Sequence, residues 1–184
     1  MKSKPHYFFA VVIPDDVKKT IYHEMKRRQF PFKRFTHPDD YHITLSFIGA
    51  AEENALLEAC TLIKQKLLNE RPFQVTLSSF HTFGTPLSPR IFWVGMDESE
   101  ALYRLQSHVA DACRKAGFIL DKKPFRPHVT TARKWIGEGP YKPGSEPEWP
   151  SFQINEVALY ETNSMNEPRY TKKWSHFLNL RKEE

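Results

Sequence analysis

Two histidine and threonine pairs are the residues of this chain best suited to chemistry. His42-Ile43-Thr44 lies in the apolar run Tyr41 to Phe47, and His128-Val129-Thr130 in the run Phe125 to Thr131. A β-strand turns residues i and i+2 to one face, so each run sets an imidazole beside a hydroxyl. Two imidazoles can divide proton transfers near neutral pH, one neutral ring taking a proton from an attacking water while a protonated ring gives one to a leaving oxygen. The hydroxyls of Thr44 and Thr130 can donate to the non-bridging oxygens of a phosphate as charge shifts in the transition state.

Short patterns are cheap in a chain with eight histidines and eleven threonines. Chance alone supplies roughly half of one match to His-x-Thr in a sequence of this composition, so the bare pattern is weak. Context strengthens it. Both copies sit in strand-like runs, and the two histidines stand 86 positions apart, close to half of the 184-residue length. A lone strand histidine is usually a hydrogen-bonded structural residue, but a converging pair carries a desolvation cost that packing does not require. A metal site would need a third ligand, and no Asp, Glu or Cys shares a face with either motif, so no metal and no cofactor is expected. The other histidines (His6, His23, His37, His81, His108 and His176) have no partner at a telling spacing and are read as surface or local hydrogen-bonding residues.

The elements that must position the motifs follow from periodicity. Tyr7 to Ile13 reads as a buried strand ending at Pro14, and Asp15 or Asp16 can cap a helix with Val17, Ile21 and Met25 inward. The basic, aromatic stretch Lys26 to Phe35 lacks a period and reads as a loop, with base stacking as its functional alternative. After the His42 strand, Leu56, Cys60, Ile63 and Leu67 mark a second helix, and Phe73, Val75 and Leu77 a strand. Gly84 to Pro89 reads as a loop, Ile91 to Met96 as a strand, and Leu102, Leu105, Val109 and Ala112 or Cys113 as the inner face of a third helix ended by Gly117. Gly137 to Pro150 reads as a surface loop. Phe152 to Leu159 reads as one long strand that slips phase near Asn155 at a β-bulge, and Tyr170, Trp174 and Phe177 supply a last strand. The order strand, helix, His-x-Thr strand occurs twice, predicting an internally duplicated α+β fold of two lobes. In a regular strand Arg133 would face away from His128 and Thr130, and would reach their side only if the strand ends or twists first.

Composition sets bounds. With 40% hydrophobic residues the chain can bury a substantial core, and 27 Lys and Arg against 22 Asp and Glu give +5, a mild bias toward anionic partners. Cys60 and Cys113 show no ligand spacing and read as buried thiols in a reducing cytoplasm. Lys2, Lys4 and the apolar run after them lack a small-residue cleavage site and read as a first strand rather than a leader, and no segment is long enough to span a membrane.

His42-Ile-Thr-Leu-Ser-Phe-Ile-Gly49 and Pro127-His-Val-Thr-Thr-Ala-Arg133 resemble the paired signatures of the 2H phosphoesterase superfamily, specifically its bacterial RNA 2′,3′-cyclic phosphodiesterase branch, also called 2′-5′ RNA ligase. Phe8 to Pro14, Pro89 to Gly95, Gly117-Phe118 and the surroundings of Tyr160 and Tyr170 extend the likeness over most of the chain. Thr131 stands where that family usually has leucine, and Phe35 where many members have tryptophan. The resemblance implies a bilobal α+β domain spanning 1–184, with pseudo-symmetric halves near 1–88 and 89–184 and a central cleft. It implies metal-independent hydrolysis of a 2′,3′-cyclic phosphate at an RNA or nucleotide end to a 2′-phosphate; separately, a monomer is expected. His42 would protonate the leaving 3′ oxygen, His128 would activate water, and Thr44, Thr130 and Arg133 would hold phosphate. The reverse ligation, or RNA-end binding without turnover, are the alternatives.

Overall fold

The structure is a computed structural model that describes residues 4–179, so Lys2 of the leader-like start lies outside the described residues. Among these it contains β1 (His6–Val12), α1 (Asp15–Arg28), β2 (Phe32–Phe35), β3 (His42–Ala50), α2 (Glu53–Lys66), β4 (Phe73–Thr85) and β5 (Ser88–Met96). These are followed by α3 (Glu100–Lys115), β6 (His128–Trp135), β7 (Ser151–Ile154), β8 (Glu156–Thr162) and β9 (Tyr170–Phe177), with a 3-10 turn at Pro38–Asp40. Two antiparallel sheets result, in the orders β3-β1-β8-β9 and β2-β6-β5-β4-β7. This is the α+β, two-sheet architecture expected from the element order.

The helices form for the reasons their periods gave. Val17, Ile21 and Met25 of α1 are buried, as are Leu56, Cys60 and Ile63 of α2 and Leu102, Leu105, Val109 and Cys113 of α3. Each fully buried aliphatic side chain contributes about 1.5–3 kcal/mol. The Ser99 hydroxyl caps α3 by accepting from the Leu102 amide at 3.3 Å. At the other end Gly117, at φ 91°, lets the Phe118 amide donate to the Cys113 carbonyl at 3.0 Å. The N-cap of α1 is instead Pro14, and Asp15 and Asp16 sit in the first turn, where their charge meets the helix dipole without a capping bond.

Three further sequence expectations need correction. Phe32–Phe35 is a strand, not a loop: it pairs with β6, with Phe32 opposite Trp135 and Arg34 opposite Arg133. Phe32 is buried against Phe92, and Phe30 and Phe80 complete the cluster, so aromatic packing makes the strand despite Pro31. Gly84 to Pro89 is the tip of a hairpin, since Thr85 pairs with Ser88 and β4 simply runs further than its apolar alternation. Phe152 to Leu159 is not one bulged strand. Asn155 is the crossing between sheets, with β7 paired to β4 and β8 paired to β1 and β9.

The Gly137 to Pro150 segment has no regular structure but packs inward. Tyr141 and Trp149 lie against the core, and the Glu146 carboxylate accepts from the Phe80 amide at 3.2 Å. Cys60 and Cys113 are buried free thiols. Among the described residues, no helix is long and apolar enough to cross a membrane.

Candidate active site

The two sheets approach through β3, an edge strand, and β6. Between them lies a cleft of about 540 Å³ into which His42, Thr44, His128, Thr130 and Arg133 all project. All five site residues expected from sequence therefore share one cavity.

The histidine rings are held in the same way. Nδ1 of His42 lies 2.7 Å from the Asp40 carbonyl, and Nδ1 of His128 lies 2.7 Å from the Arg126 carbonyl. A carbonyl only accepts, so each Nδ1 carries its proton and each neutral ring keeps an acceptor lone pair on Nε2. The Thr44 hydroxyl is 3.0 Å from Nε2 of His42 and donates to it in that form. Aromatic rings fix both imidazoles further. Phe8 stacks on His42 at 4.6 Å and Tyr170 meets its face edge-on at 5.1 Å, while Phe83 meets His128 at 5.3 Å and Trp93 at 5.4 Å.

Both imidazoles resist protonation. Burial pushes His42 down to about 4; the Asp40 carbonyl opposes this, while His128, Lys18 and Arg133 add to it. Burial also lowers His128, with the Arg126 carbonyl opposing and the Arg133 and Arg126 cations adding. An anion between the rings would reverse the charge contributions and favour an imidazolium.

Backbone register explains how Arg133 comes to share this space. Opposite β5, Trp93 pairs with Thr130 and Phe92 with Ala132, so Thr131 is an extra residue that shifts the strand's phase by one. Thr131 is fully buried, and its hydroxyl donates to the Phe92 carbonyl at 3.2 Å, which satisfies the polar atom that leucine would lack. The other motif repeats the device. Ala10 pairs with Thr44 and Phe9 with Ser46, leaving Leu45 as the extra residue of β3. Phe47 thereby takes in β3 the place Arg133 takes in β6, lining the cleft at 57% exposure.

Sequence reading missed Phe47, and also Arg34, Arg169, Tyr170 and Asp40, all of which line the cleft. Arg34 gains a face only through the pairing of β2 with β6, which its local sequence does not signal. Asp40 is 4% exposed, and its carboxylate accepts from the amides of Arg169, at 2.8 and 3.0 Å, and Tyr170, at 3.1 Å. It thus ties the approach to β9 to the residue whose carbonyl anchors His42, a contact across 129 positions that no local pattern signals.

Such an arrangement supports proton exchange on an anion gripped by hydroxyls and guanidinium groups. The family model described as 2′-5′ RNA ligase superfamily matches residues 13–139. The chain belongs to the 2′-5′ RNA ligase superfamily. Within that superfamily it is 37% identical over 174 residues to an RNA 2′,3′-cyclic phosphodiesterase of Geobacillus stearothermophilus, a match covering 91% of this chain and 55% of that protein. It is 32% identical over 174 residues to an RNA 2′,3′-cyclic phosphodiesterase of Bacillus subtilis, covering 91% of this chain and 93% of that protein. The fold matches E. coli LigT complexed with 3′-AMP, with TM-score 0.81 at 23% identity over 96% of this chain and 100% of the other. TT0787 of Thermus thermophilus matches with TM-score 0.77 at 24% identity over 94% of this chain and 97% of the other.

Proposed function

We propose that this protein is an RNA 2′,3′-cyclic phosphodiesterase that opens the cyclic phosphate to a 2′-phosphomonoester without a metal. The observation that carries the reading is the matched anchoring of His42 and His128, which leaves both Nε2 atoms for one cleft beside Thr44 and Thr130. The relatives' names point the same way.

In the proposed reaction a water oxygen attacks phosphorus and its proton passes to Nε2 of His128. The bond from phosphorus to O3′ breaks, and O3′ takes the proton of the His42 imidazolium. The substrate arrives as a monoanion and supplies the negative field that lets His42 hold this proton. Thr44, Thr130 and Arg133 stabilise the non-bridging oxygens, and Phe47 offers a flat face to the terminal base. The five-membered ring needs a vicinal diol, so the substrate must be ribose-based.

A second reading is 2′-5′ ligation, in which a 5′-hydroxyl attacks phosphorus in place of water while O3′ leaves, and the superfamily description favours keeping it. We read residues 1–184 as one domain whose halves meet at the β4–β5 hairpin, since each half carries a strand, a helix and a His-x-Thr strand and lends two strands to the opposite sheet (β2 and β4, β8 and β9). We place it in the cytoplasm as a monomer, in keeping with its buried free thiols.

The test gives purified protein adenosine 2′,3′-cyclic phosphate in the presence of EDTA and identifies the product by phosphorus NMR. A 2′-phosphate is expected. Absence of turnover, a requirement for added metal, or a 3′-phosphate product would each refute a distinct part of the assignment.

A further inference from the structure

A second chamber, of about 510 Å³, adjoins the catalytic cleft and shares with it Phe35, Thr36, His37 and Glu167. Its far wall comes from α1 and the residue that closes that helix: Tyr22, Lys26 and Gln29, with buried Tyr41 beside them. Three features mark it as more than a packing gap. Phe35, on the boundary, is 50% exposed, so an aromatic face is open where the two cavities meet. The Lys26 ammonium lies 5.5 Å from the centre of the Tyr22 ring, placing a cation beside an aromatic face. Gln29 closes α1 in the left-handed region at φ 47°, ψ 40°, where glycine or asparagine is the usual choice and a longer side chain is strained.

Strain kept at a cavity wall calls for a use of the side chain that incurs it. The Gln29 amide brings a donor and an acceptor to the chamber. On the shared wall, Nδ1 of His37 accepts from the Asp39 amide at 3.2 Å, so the neutral ring carries its proton on Nε2 and can donate from there. Aromatic faces, a cation and edge-reading polar groups are the means by which single-stranded nucleic acid is held. A competing depression near Trp93 shares no lining residue with the cleft, so a chain held by its end between His42 and His128 would not enter it directly.

We propose that this chamber receives the penultimate nucleoside of an RNA whose terminal cyclic phosphate lies between His42 and His128, its base against Tyr22 or Phe35 and its edge read by Gln29. The proposal rests on the phosphodiesterase reading and deepens it: a polymer fixed by its end must continue out of the cleft, and the chamber is contiguous with it. The enzyme would then prefer oligonucleotide ends to free cyclic nucleotides.

The test compares kcat/KM for adenosine 2′,3′-cyclic phosphate with that for the dinucleotide ApA carrying the same terminal ring. Wild-type protein is expected to favour the dinucleotide by roughly ten- to a hundredfold, the yield of one stacked base. Tyr22→Ala, Lys26→Ala and Gln29→Gly should each erode that preference while turnover of the mononucleotide holds within about twofold. Gln29→Gly relieves the left-handed strain, so it should fold at least as well as wild type. Equal use of both substrates by wild type, or equal losses on both in the variants, would overturn the proposal. Failure of both substrates to react would instead refute the phosphodiesterase reading. Calorimetric affinities for adenosine 3′-monophosphate and for ApA 3′-phosphate would then decide the chamber alone, tighter binding of the dinucleotide supporting it and equal binding overturning it.

Discussion

Arg133 lines the cleft beside His128 because Thr131, which stands between them, is an extra residue in β6. In a regular strand the five-residue separation would turn the guanidinium to the opposite face. Arg133→Ala is accordingly expected to lower kcat/KM on a cyclic nucleotide by about 10²–10³, the cost of one lost transition-state donor. Thr131→Val, which removes only a buried hydroxyl bonded to the Phe92 carbonyl, should cost about 1 kcal/mol of stability and leave kcat/KM within about threefold. Steady-state kinetics and urea melts of the two variants check the contrast.

Turnover should have an acidic optimum. The productive form needs one imidazolium and one imidazole, and both rings are held below the ordinary histidine value of 6.5, His42 at about 4. At pH 7 the free cleft is therefore mostly doubly neutral, and kcat/KM is expected to peak below pH 6.5 and fall as pH rises. Arg133→Gln removes a cation that presses on both rings, so its alkaline limb should move to higher pH. A pH profile of kcat/KM at constant ionic strength reads both effects; a wild-type optimum above pH 8 would contradict them.

Stability should depend on the same ring. Because the folded-state value of His42 lies near 4 and the unfolded value near 6.5, the unfolded chain takes up the proton first on acidification. The stability that neutral His42 confers is complete above pH 6.5 and is lost as pH falls toward 4, by at most about 3 kcal/mol. Chemical melts across this window should show the slope in wild type and a shallower one in His42→Gln.

Asp40 is expected to act through what it holds. Its carboxylate accepts from the amides of Arg169 and Tyr170, and its own carbonyl accepts from His42. Asp40→Asn turns part of the acceptor into a donor facing those amides, at a cost of about 1.5–3 kcal/mol. With Arg169 and Tyr170 displaced from the cleft wall, KM for the cyclic nucleotide should rise more than kcat falls.

The parts legible in the sequence were those encoded locally. His42 and Thr44, like His128 and Thr130, share a face by strand alternation, and the apolar stripes of the helices gave their inward sides. What escaped depends on pairing between distant segments. Phe32–Phe35 becomes a strand through partners near Arg133, and Asn155 changes sheets because β4 and β1 wait on either side. The bulges at Leu45 and Thr131 exist only relative to β1 and β5, so neither Phe47 nor Arg133 could be assigned a face from its own strand. Asp40 was invisible for the same reason, since its partners lie in the approach to β9.

The central claim is that His42 and His128 divide the two proton transfers on one cyclic phosphate. It is tested most directly with a substrate whose 3′ bridging oxygen is replaced by sulfur, since a thiolate leaves without a proton. On the natural oxygen substrate His42→Ala and His128→Ala should each lose about 10²–10⁴ in kcat. On the sulfur substrate His42→Ala should recover most of the wild-type rate and His128→Ala should remain inactive. Recovery of His128→Ala instead would exchange the two roles, and recovery of neither or undiminished turnover of both on the oxygen substrate would contradict a paired acid and base at this site.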